Sequence, residues 1–214
     1  MTTERAEPPL DCDRCPRLHA FLESQRDAHP DYWNRPVPSW GDPQARLLVC
    51  GMAPGLHGAN ATGRPFTGDG AGDFLYKALA ENGFSIGTYD RRPDDGLKLT
   101  GAMITNAVRC VPPKNRPTGL EATTCRTFHT ARIQTLPQLR VLLTLGKIAH
   151  DSTVRALGLR LKDHAFGHAK EYKLAGGITL LSSYHTSRYN VNVGTLTYPM
   201  FTRLMGRARE LCEA

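Results

Sequence analysis

The stretch that decides the fold runs from Leu47 to Asp73 and reads LLVCGMAPGLHGANATGRPFTGDGAGD. It begins with a short apolar run that ends at Gly51, which is typical of a buried β-strand. The loop that follows is rich in glycine, contains His57, and has no helix or strand period. Functional loops of α/β proteins follow the C-terminal ends of their strands. The stretch therefore predicts a strand and a binding loop at one edge of a sheet.

Segments typical of strands and helices alternate along the rest of the chain. The predicted strands after the first are GAMITNAV, VLLTLG and ITLLSSYH, and the predicted helices include DFLYKALAENGF, KIAHDSTVRALGL and YPMFTRLMGRAREL. Asp73 is predicted to cap the first of these helices, and Thr118 with Glu121 predicts a capping box before a further helix. This order predicts a single α/β domain over residues 1–214. Its centre is a mostly parallel four-stranded sheet with helices on both faces, a three-layer fold.

The composition is that of a globular domain, because 40% of the 214 residues are hydrophobic and 22% are charged. No apolar run approaches the roughly 20 residues that span a bilayer. The N-terminus lacks the basic-then-apolar order of a secretory signal. We therefore expect a cytoplasmic protein that does not bind a membrane. The formal net charge of +7 favours a polyanionic partner such as nucleic acid.

Cysteine is the residue type with the clearest spacing. Four of the six cysteines form a C-x-x-C pair and two later thiols, a soft ligand set that suits zinc or an iron–sulfur cluster. The alternative is a chance C-x-x-C pair together with buried thiols. Spacing does not choose between iron and zinc. The four candidate ligands are Cys12, Cys15, Cys110 and Cys125.

Three segments carry a resemblance to a known family: GMAPGLHGANATGRPFTGDGAGDF, AVRCVPPKNRP and SSYHTSRYN. Together, and in this order, they resemble the prokaryotic iron–sulfur uracil-DNA glycosylases, in particular the family 5 (type B) branch. The resemblance runs from Cys12 to about Thr197. It implies the uracil-DNA glycosylase fold and a monomeric, monofunctional DNA repair glycosylase. It also implies that Cys12, Cys15, Cys110 and Cys125 hold a 4Fe-4S cluster.

The implied reaction flips uracil out of DNA and hydrolyses its N-glycosidic bond, which leaves an abasic site. Other deaminated bases, such as hypoxanthine or xanthine, are further candidate substrates. The bond breaks with positive charge on the sugar and negative charge on the base, so both need stabilisation. The resemblance assigns these roles to Asp69 and His185. Met52 stands where family 4 has a catalytic Glu, and Asp69 is the family 5 substitute.

The expected base pocket is built largely from the first loop. Phe66 matches the aromatic residue that stacks on the flipped base, although core packing is the alternative for a phenylalanine here. Two asparagines compete as the reader of the base, and the type of the first loop favours Asn115 over Asn106. Glycines let the backbone approach base and sugar closely. The other candidate pocket residues are Gly51, Met52, Gly55, Gly58 and His57.

The residues after His185 are candidates for contacts to DNA phosphates, which position the protein without reading sequence. They are Ser187, Arg188 and Asn190. Two alternatives to a family 5 enzyme remain open. One is a uracil-DNA glycosylase of the family 4 type. The other is a non-catalytic iron–sulfur or zinc module that binds nucleic acid.

Overall fold

The computed structural model describes residues 6–214, so the predicted domain of residues 1–214 begins with five residues outside this range. The strands are β1 (Trp40–Gly41), β2 (Leu47–Gly51), β3 (Ser85–Ile86), β4 (Lys98–Leu99), β5 (Ala102–Asn106), β6 (Val141–Leu145), β7 (Glu171–Lys173) and β8 (Thr179–Ser183). The α-helices are α1 (Pro16–Ala28), α2 (Ala59–Thr62), α3 (Gly70–Glu81), α4 (Gly119–Gln134), α5 (Lys147–Ala156), α6 (Arg188–Asn192) and α7 (Tyr198–Glu213).

The main sheet has six strands in the order β1-β5-β2-β6-β8-β7. The four inner strands are parallel and wholly buried, as the sequence predicts, and these are the four predicted strands. Two antiparallel edge strands, β1 and β7, make the sheet wider than the four strands expected. They escaped prediction because they have only two and three residues and are partly exposed. A separate two-stranded sheet pairs β3 with β4.

Helices cover both faces of the sheet. Side chains alternate between the two faces along each strand, so the buried strands present apolar side chains to a helix layer on either side. Leu47 and Val49 of β2 pack with residues of α3 and α7 in one core cluster. Leu48, between them, packs in a second cluster that includes Ile133 of α4 and Val154 of α5. The predicted three-layer α/β fold is confirmed.

The start of α3 differs from the prediction. Asp69, not Asp73, caps the helix, because the Asp69 side chain accepts hydrogen bonds from the backbone N–H groups of Ala71 and Gly72. Asp73 lies in the first turn and forms an ion pair with Arg91. The predicted capping box of α4 is present, with both Thr118 and Glu121 in their expected roles.

Helix α1 is an element that the sequence analysis did not predict. It begins at Pro16, directly after Cys15, and buries only two side chains, Leu18 and Leu22. These two pack in a cluster with Cys110 and Cys125, on which Cys12 and Cys15 also pack. The packing of α1 therefore places Cys12 and Cys15 next to Cys110 and Cys125. Within residues 6–214, no helix is both long enough and apolar enough to cross a bilayer.

Candidate active site

The loops at the C-terminal ends of the parallel strands enclose a cavity of about 770 Å³. The first loop, after β2, lines one side of it with residues 52–58 and 68–71. The turn after β6 and the segment after β8 line the other side. This is the edge of the sheet at which the sequence predicts the binding loop, and we call this space the outer cavity.

A smaller cavity of about 40 Å³ adjoins the first loop, and we call it the inner cavity. Four side chains with chemical functions line it: Phe66, Asp69, Asn106 and His185. Asp69 and His185 line the outer cavity as well, so the two spaces meet at these residues. Both predicted catalytic residues and the predicted stacking residue therefore lie at one point.

The glycines of the first loop make room for the pocket's own side chains. A Cβ atom on Gly51 would lie 2.5 Å from Oδ1 of Asn106 and 2.6 Å from Cζ of Phe66. A Cβ atom on Gly58 would lie 2.5 Å from Oδ2 of Asp69. From the sequence, these glycines are expected to let the backbone approach the base and sugar closely. In the structure, their first effect is that Phe66, Asn106 and Asp69 can reach the inner cavity.

Phe66 is both a core residue and a pocket residue. Its side chain is 6% exposed and belongs to the main core cluster, while its ring also lines the inner cavity. Its backbone has φ 54°, a left-handed conformation that is uncommon for a bulky residue. Tyr89 Oη donates to the Phe66 carbonyl at 3.2 Å, and Tyr76 Oη donates to the Pro65 carbonyl at 2.7 Å. These two hydroxyls hold the unusual backbone in place.

A buried arginine supports the same turn. Arg64 donates to both carboxylate oxygens of Asp95, at 2.8 and 2.7 Å, and to Thr67 Oγ1 at 2.7 Å. The Arg64 guanidinium also lies over the rings of Trp40 and Tyr76. Tyr76, Tyr89 and Asp95 lie outside the sequence motifs, and their contacts help to fix the position of Phe66. No sequence pattern identifies these side chains, because the contacts join separate segments of the chain.

Asp69 uses only one of its carboxylate oxygens in the helix cap. Oδ1 accepts from the N–H groups of Ala71 and Gly72, each at 3.0 Å. Oδ2 faces Gly55 and Gly58 of the first loop. The N-terminus of α3 stabilises negative charge at this place. The capped carboxylate is therefore held rigidly, with its second oxygen directed toward the loop that lines both cavities.

His185 follows β8 and faces Phe66. The two rings are nearly parallel, with 6.0 Å between their centroids and 26° between their planes. Burial lowers the pKa of His185, and the Asp69 carboxylate opposes that shift only in part. The imidazole is therefore neutral at pH 7, and a neutral imidazole has one N–H to donate. Met52 lines only the outer cavity and has no ionisable group.

The two candidate asparagines occupy different places. Asn106 ends β5, is 3% exposed, pairs in register with Gly51 and lines the inner cavity. Asn115 is exposed, has φ 53° and lines only the outer cavity. The geometry therefore favours Asn106 as the residue closest to Phe66 and His185, in contrast to the preference from the sequence.

The remaining predicted residues surround the outer cavity. His57 is exposed there, and its Nδ1 lies 3.0 Å from Tyr32 Oη. Ser187 Oγ caps α6, and Asn190 Nδ2 donates to the His185 carbonyl at 2.8 Å, so both side chains support the loop that carries His185. Arg188 is exposed, and its side chain lies against Gly70.

The four predicted cysteine ligands line one small, separate cavity, and none of them forms a disulfide. Burial raises the pKa of Cys110, and it raises that of Cys125 to about 11. Among residues 6–214, no three His, Cys, Asp or Glu side chains converge at the spacing of a single metal ion. The thiols of Cys12, Cys15, Cys110 and Cys125 thus share a cavity without meeting at one point.

Comparison with known proteins shows which proteins this chain is similar to. The model of the uracil DNA glycosylase superfamily matches residues 38–208. A type-5 uracil-DNA glycosylase of Thermus thermophilus is 45% identical over 94% of this chain and 93% of its own length. A type-5 enzyme of Pyrobaculum aerophilum is 39% identical over 93% of this chain and 88% of its own. A type-4 enzyme of the same organism is 31% identical over 81% of this chain and 76% of its own.

Proposed function

The chain belongs to the uracil-DNA glycosylase superfamily, and from this premise we propose that it hydrolyses the N-glycosidic bond of uracil in DNA to leave an abasic site. Its relatives are named type-5 uracil-DNA glycosylases, which are hydrolases that act on N-glycosyl bonds. One structural observation supports the proposal independently of family membership. A carboxylate, a neutral imidazole, an amide and an aromatic ring meet at one inner cavity.

Each of the two predicted catalytic groups suits one half of the reaction. The free oxygen of Asp69 stabilises the positive charge that develops on the sugar, and it accepts a proton from the attacking water. His185 donates a hydrogen bond to the carbonyl oxygen of the departing base. Because burial lowers the pKa of His185, it performs this role as a neutral donor. Met52 takes no part in the proton transfer.

Recognition of the base falls to Phe66 and Asn106. An aromatic ring stacks on any base, while an amide donates and accepts along the edge of uracil. We assign the reading of that edge to Asn106, because it is buried beside Phe66 and His185. Asn115, at the outer cavity, is the secondary candidate. Hypoxanthine and xanthine present carbonyl and N–H groups as uracil does, so they are further candidate substrates for an amide reader.

A recessed cavity requires the nucleotide to leave the duplex, because a base within the stack is out of reach. Tyr189 is suited to filling the gap that the base leaves. It is 75% exposed and lies on α6, two residues after the helix cap Ser187. Apolar side chains inserted between base steps are a known way to unstack DNA. The exposed Arg188 beside it is a candidate for a phosphate contact.

For the cysteine cavity we propose a 4Fe-4S cluster held by Cys12, Cys15, Cys110 and Cys125. In such a cluster each thiolate binds its own iron, so the four sulfurs need not converge on one point. When bound, the cluster supplies thiolate–iron bonds that tie the N-terminal segment and α1 to the loop after Cys110. That loop continues to Asn115 at the outer cavity. The proposed role is structural, in a protein that acts as a monomer on DNA.

An incision assay tests the proposed function. Duplexes that contain uracil, hypoxanthine or xanthine are incubated with the protein, and alkali then breaks the strand at any abasic site. We expect strand breaks at uracil. Binding of uracil-containing DNA without breaks would indicate the alternative, a non-catalytic binding module. Activity restricted to uracil would agree with the family 4 type of specificity.

A further inference from the structure

The outer cavity has a second wall that none of the proposed chemistry uses. It consists of Ile148, from the start of α5, Phe166, from the loop before β7, and Tyr184, directly after β8. We call these three residues the apolar wall. Ile148 is one of the large hydrophobic side chains that stay exposed, with 41% of its surface open. The apolar wall lies in the same continuous cavity as Asp69 and His185.

The apolar wall is rigid, because polar groups behind it are bonded in fixed positions. The Phe166 ring packs edge-on against His150 at 5.5 Å and against Tyr184 at 6.1 Å between centroids. His150 is held at both ring nitrogens, by Ser182 Oγ and by the His164 carbonyl, each at 2.7 Å. Such a framework keeps half-exposed rings in one orientation. This is the arrangement of a preformed surface for a flat ligand.

Size and charge indicate what the ligand is. The outer cavity measures about 770 Å³, a volume in the range of pockets for drug-sized molecules. The flipped base, held beside Phe66 and Asn106 at the inner cavity, leaves most of that space open. At the edge of the apolar wall, Lys147 Nζ contacts Asp151 at 2.6 Å, and its side chain is 66% exposed. An ammonium group has three donors, so Lys147 retains donors for a phosphate.

We propose that the apolar wall is a subsite for the base next to the flipped nucleotide on the same strand. The inference rests on the proposed function, since it needs a flipped nucleotide beside Asp69 and His185, where the two cavities meet. A neighbouring nucleotide is tied covalently to that one, and the continuous cavity leads from Asp69 and His185 to the apolar wall. Stacking on aromatic rings tolerates any base, so the subsite recognises an unpaired neighbour without reading its identity.

The test uses short single-stranded oligonucleotides with one uracil. In matched substrates, the base on the 5′ or on the 3′ side of the uracil is removed by placing a tetrahydrofuran residue there. We expect one of these two replacements to reduce single-turnover uracil release by the wild-type protein at subsaturating concentration, on the order of tenfold. Phe166→Ala should show the same loss on the intact oligonucleotide and no further loss on the replaced one.

Two further variants test whether a loss of uracil release comes from the apolar wall itself. The alternatives are unfolding and the removal of any exposed side chain. Ile148→Ala removes an exposed side chain of the apolar wall and should behave as Phe166→Ala does. Ile86→Ala removes an equally large side chain that is 68% exposed on β3, outside the cavity lining, and should behave as wild type. The inference is overturned if neither replacement slows the wild-type protein, or if the losses from replacement and from Phe166→Ala add. Absence of uracil release from every substrate would contradict the proposed function instead.

Discussion

The ring of Phe66 lies nearly parallel to the imidazole of His185, with 6.0 Å between the centroids. The two residues come from distant segments of the chain, one from the first loop and one from the segment after β8. Phe66 is fixed by the hydroxyl of Tyr89, and His185 by the amide of Asn190. The stacking group and the leaving-group donor thus form one rigid unit. A substitution of Phe66 or His185 should therefore leave the other residues of the site in position.

Asp69→Asn should slow base release by about 10²- to 10⁴-fold while folding is maintained, because the asparagine loses the charge but remains a good helix cap. Single-turnover release of uracil measures the rate, and thermal unfolding measures stability. Asp69→Ala is the matched control, since it should lose the cap as well and cost about 1 kcal/mol of stability. Release by Asp69→Asn at the wild-type rate would remove Asp69 from the mechanism.

His185 gives the reaction a defined pH dependence. Burial lowers its pKa, so it stays neutral from pH 8 to below its ordinary value of about 6.5. Protonation at lower pH adds a positive charge beside Asp69, which weakens the stabilisation that the Asp69 carboxylate gives to the sugar cation. We therefore expect a constant release rate between pH 8 and 6.5 and a fall below that range.

The same shift predicts that folding stability falls with acid, because the unfolded chain binds the proton more readily than the folded one. Other buried histidines with lowered pKa values, such as His150, contribute to that loss. The His185→Asn variant keeps a neutral hydrogen-bond donor that does not titrate. It therefore separates the effect of pH on the release rate from its effect on folding stability. Its release rate should lack the fall below pH 6.5, whereas an unchanged acid fall would assign the dependence to another group. Circular dichroism at each pH confirms that the protein stays folded.

The two asparagines form a matched pair for the reading of the base. Asn106→Ala should reduce uracil release by about tenfold or more, because it leaves polar edges of the flipped base unpaired in a buried site. Asn115→Ala, at an exposed position, should stay within a few-fold of wild type. Competition between uracil and hypoxanthine substrates measures discrimination. The opposite result, with Asn115→Ala the more damaged variant, would restore the preference drawn from the sequence.

The sequence predicted those parts of the fold that continuous apolar runs encode. All four inner strands are such runs, whereas β1 and β7 are too short and too exposed to stand out. Helix α1 was missed because it buries only Leu18 and Leu22. A polar helix of this kind depends on its tertiary contacts, which a local pattern does not contain.

At the site, motifs located the residues but did not determine which of them meet. The segment around Cys110 contains both Asn106 and Asn115, and only the pairing of Asn106 with Gly51 places it at the inner cavity. Two supports of the turn at Phe66, Tyr89 and the Asp95 partner of Arg64, belong to no motif. Such contacts between distant segments appear only when the chain is folded.

The cysteine cavity predicts a specific loss of metal. Cys110→Ser should remove iron and the brown colour from anaerobically purified protein and lower its thermal stability, because cluster binding contributes to folding. Cys212→Ser is the matched control, since Cys212 is 3% exposed but lies outside that cavity. Iron and zinc analysis of both variants and of wild type provides the measurement. Stoichiometric zinc without iron in the wild-type protein would overturn the cluster.

The proposed role of Tyr189 separates duplex from single-stranded substrates. A side chain that fills the gap left by a flipped base helps only where there is a stack to open, so Tyr189→Ala should slow uracil release from duplex DNA. Unstacking costs a few kcal/mol per step, and we expect a loss on the order of tenfold on duplexes and little change on single strands. Tyr189→Phe keeps the ring and should retain most of the activity. Ile86→Ala, at a similarly exposed position on β3, controls for loss of surface apolar area. An equal loss on both kinds of substrate would indicate instead that Tyr189 contacts the strand that holds the uracil.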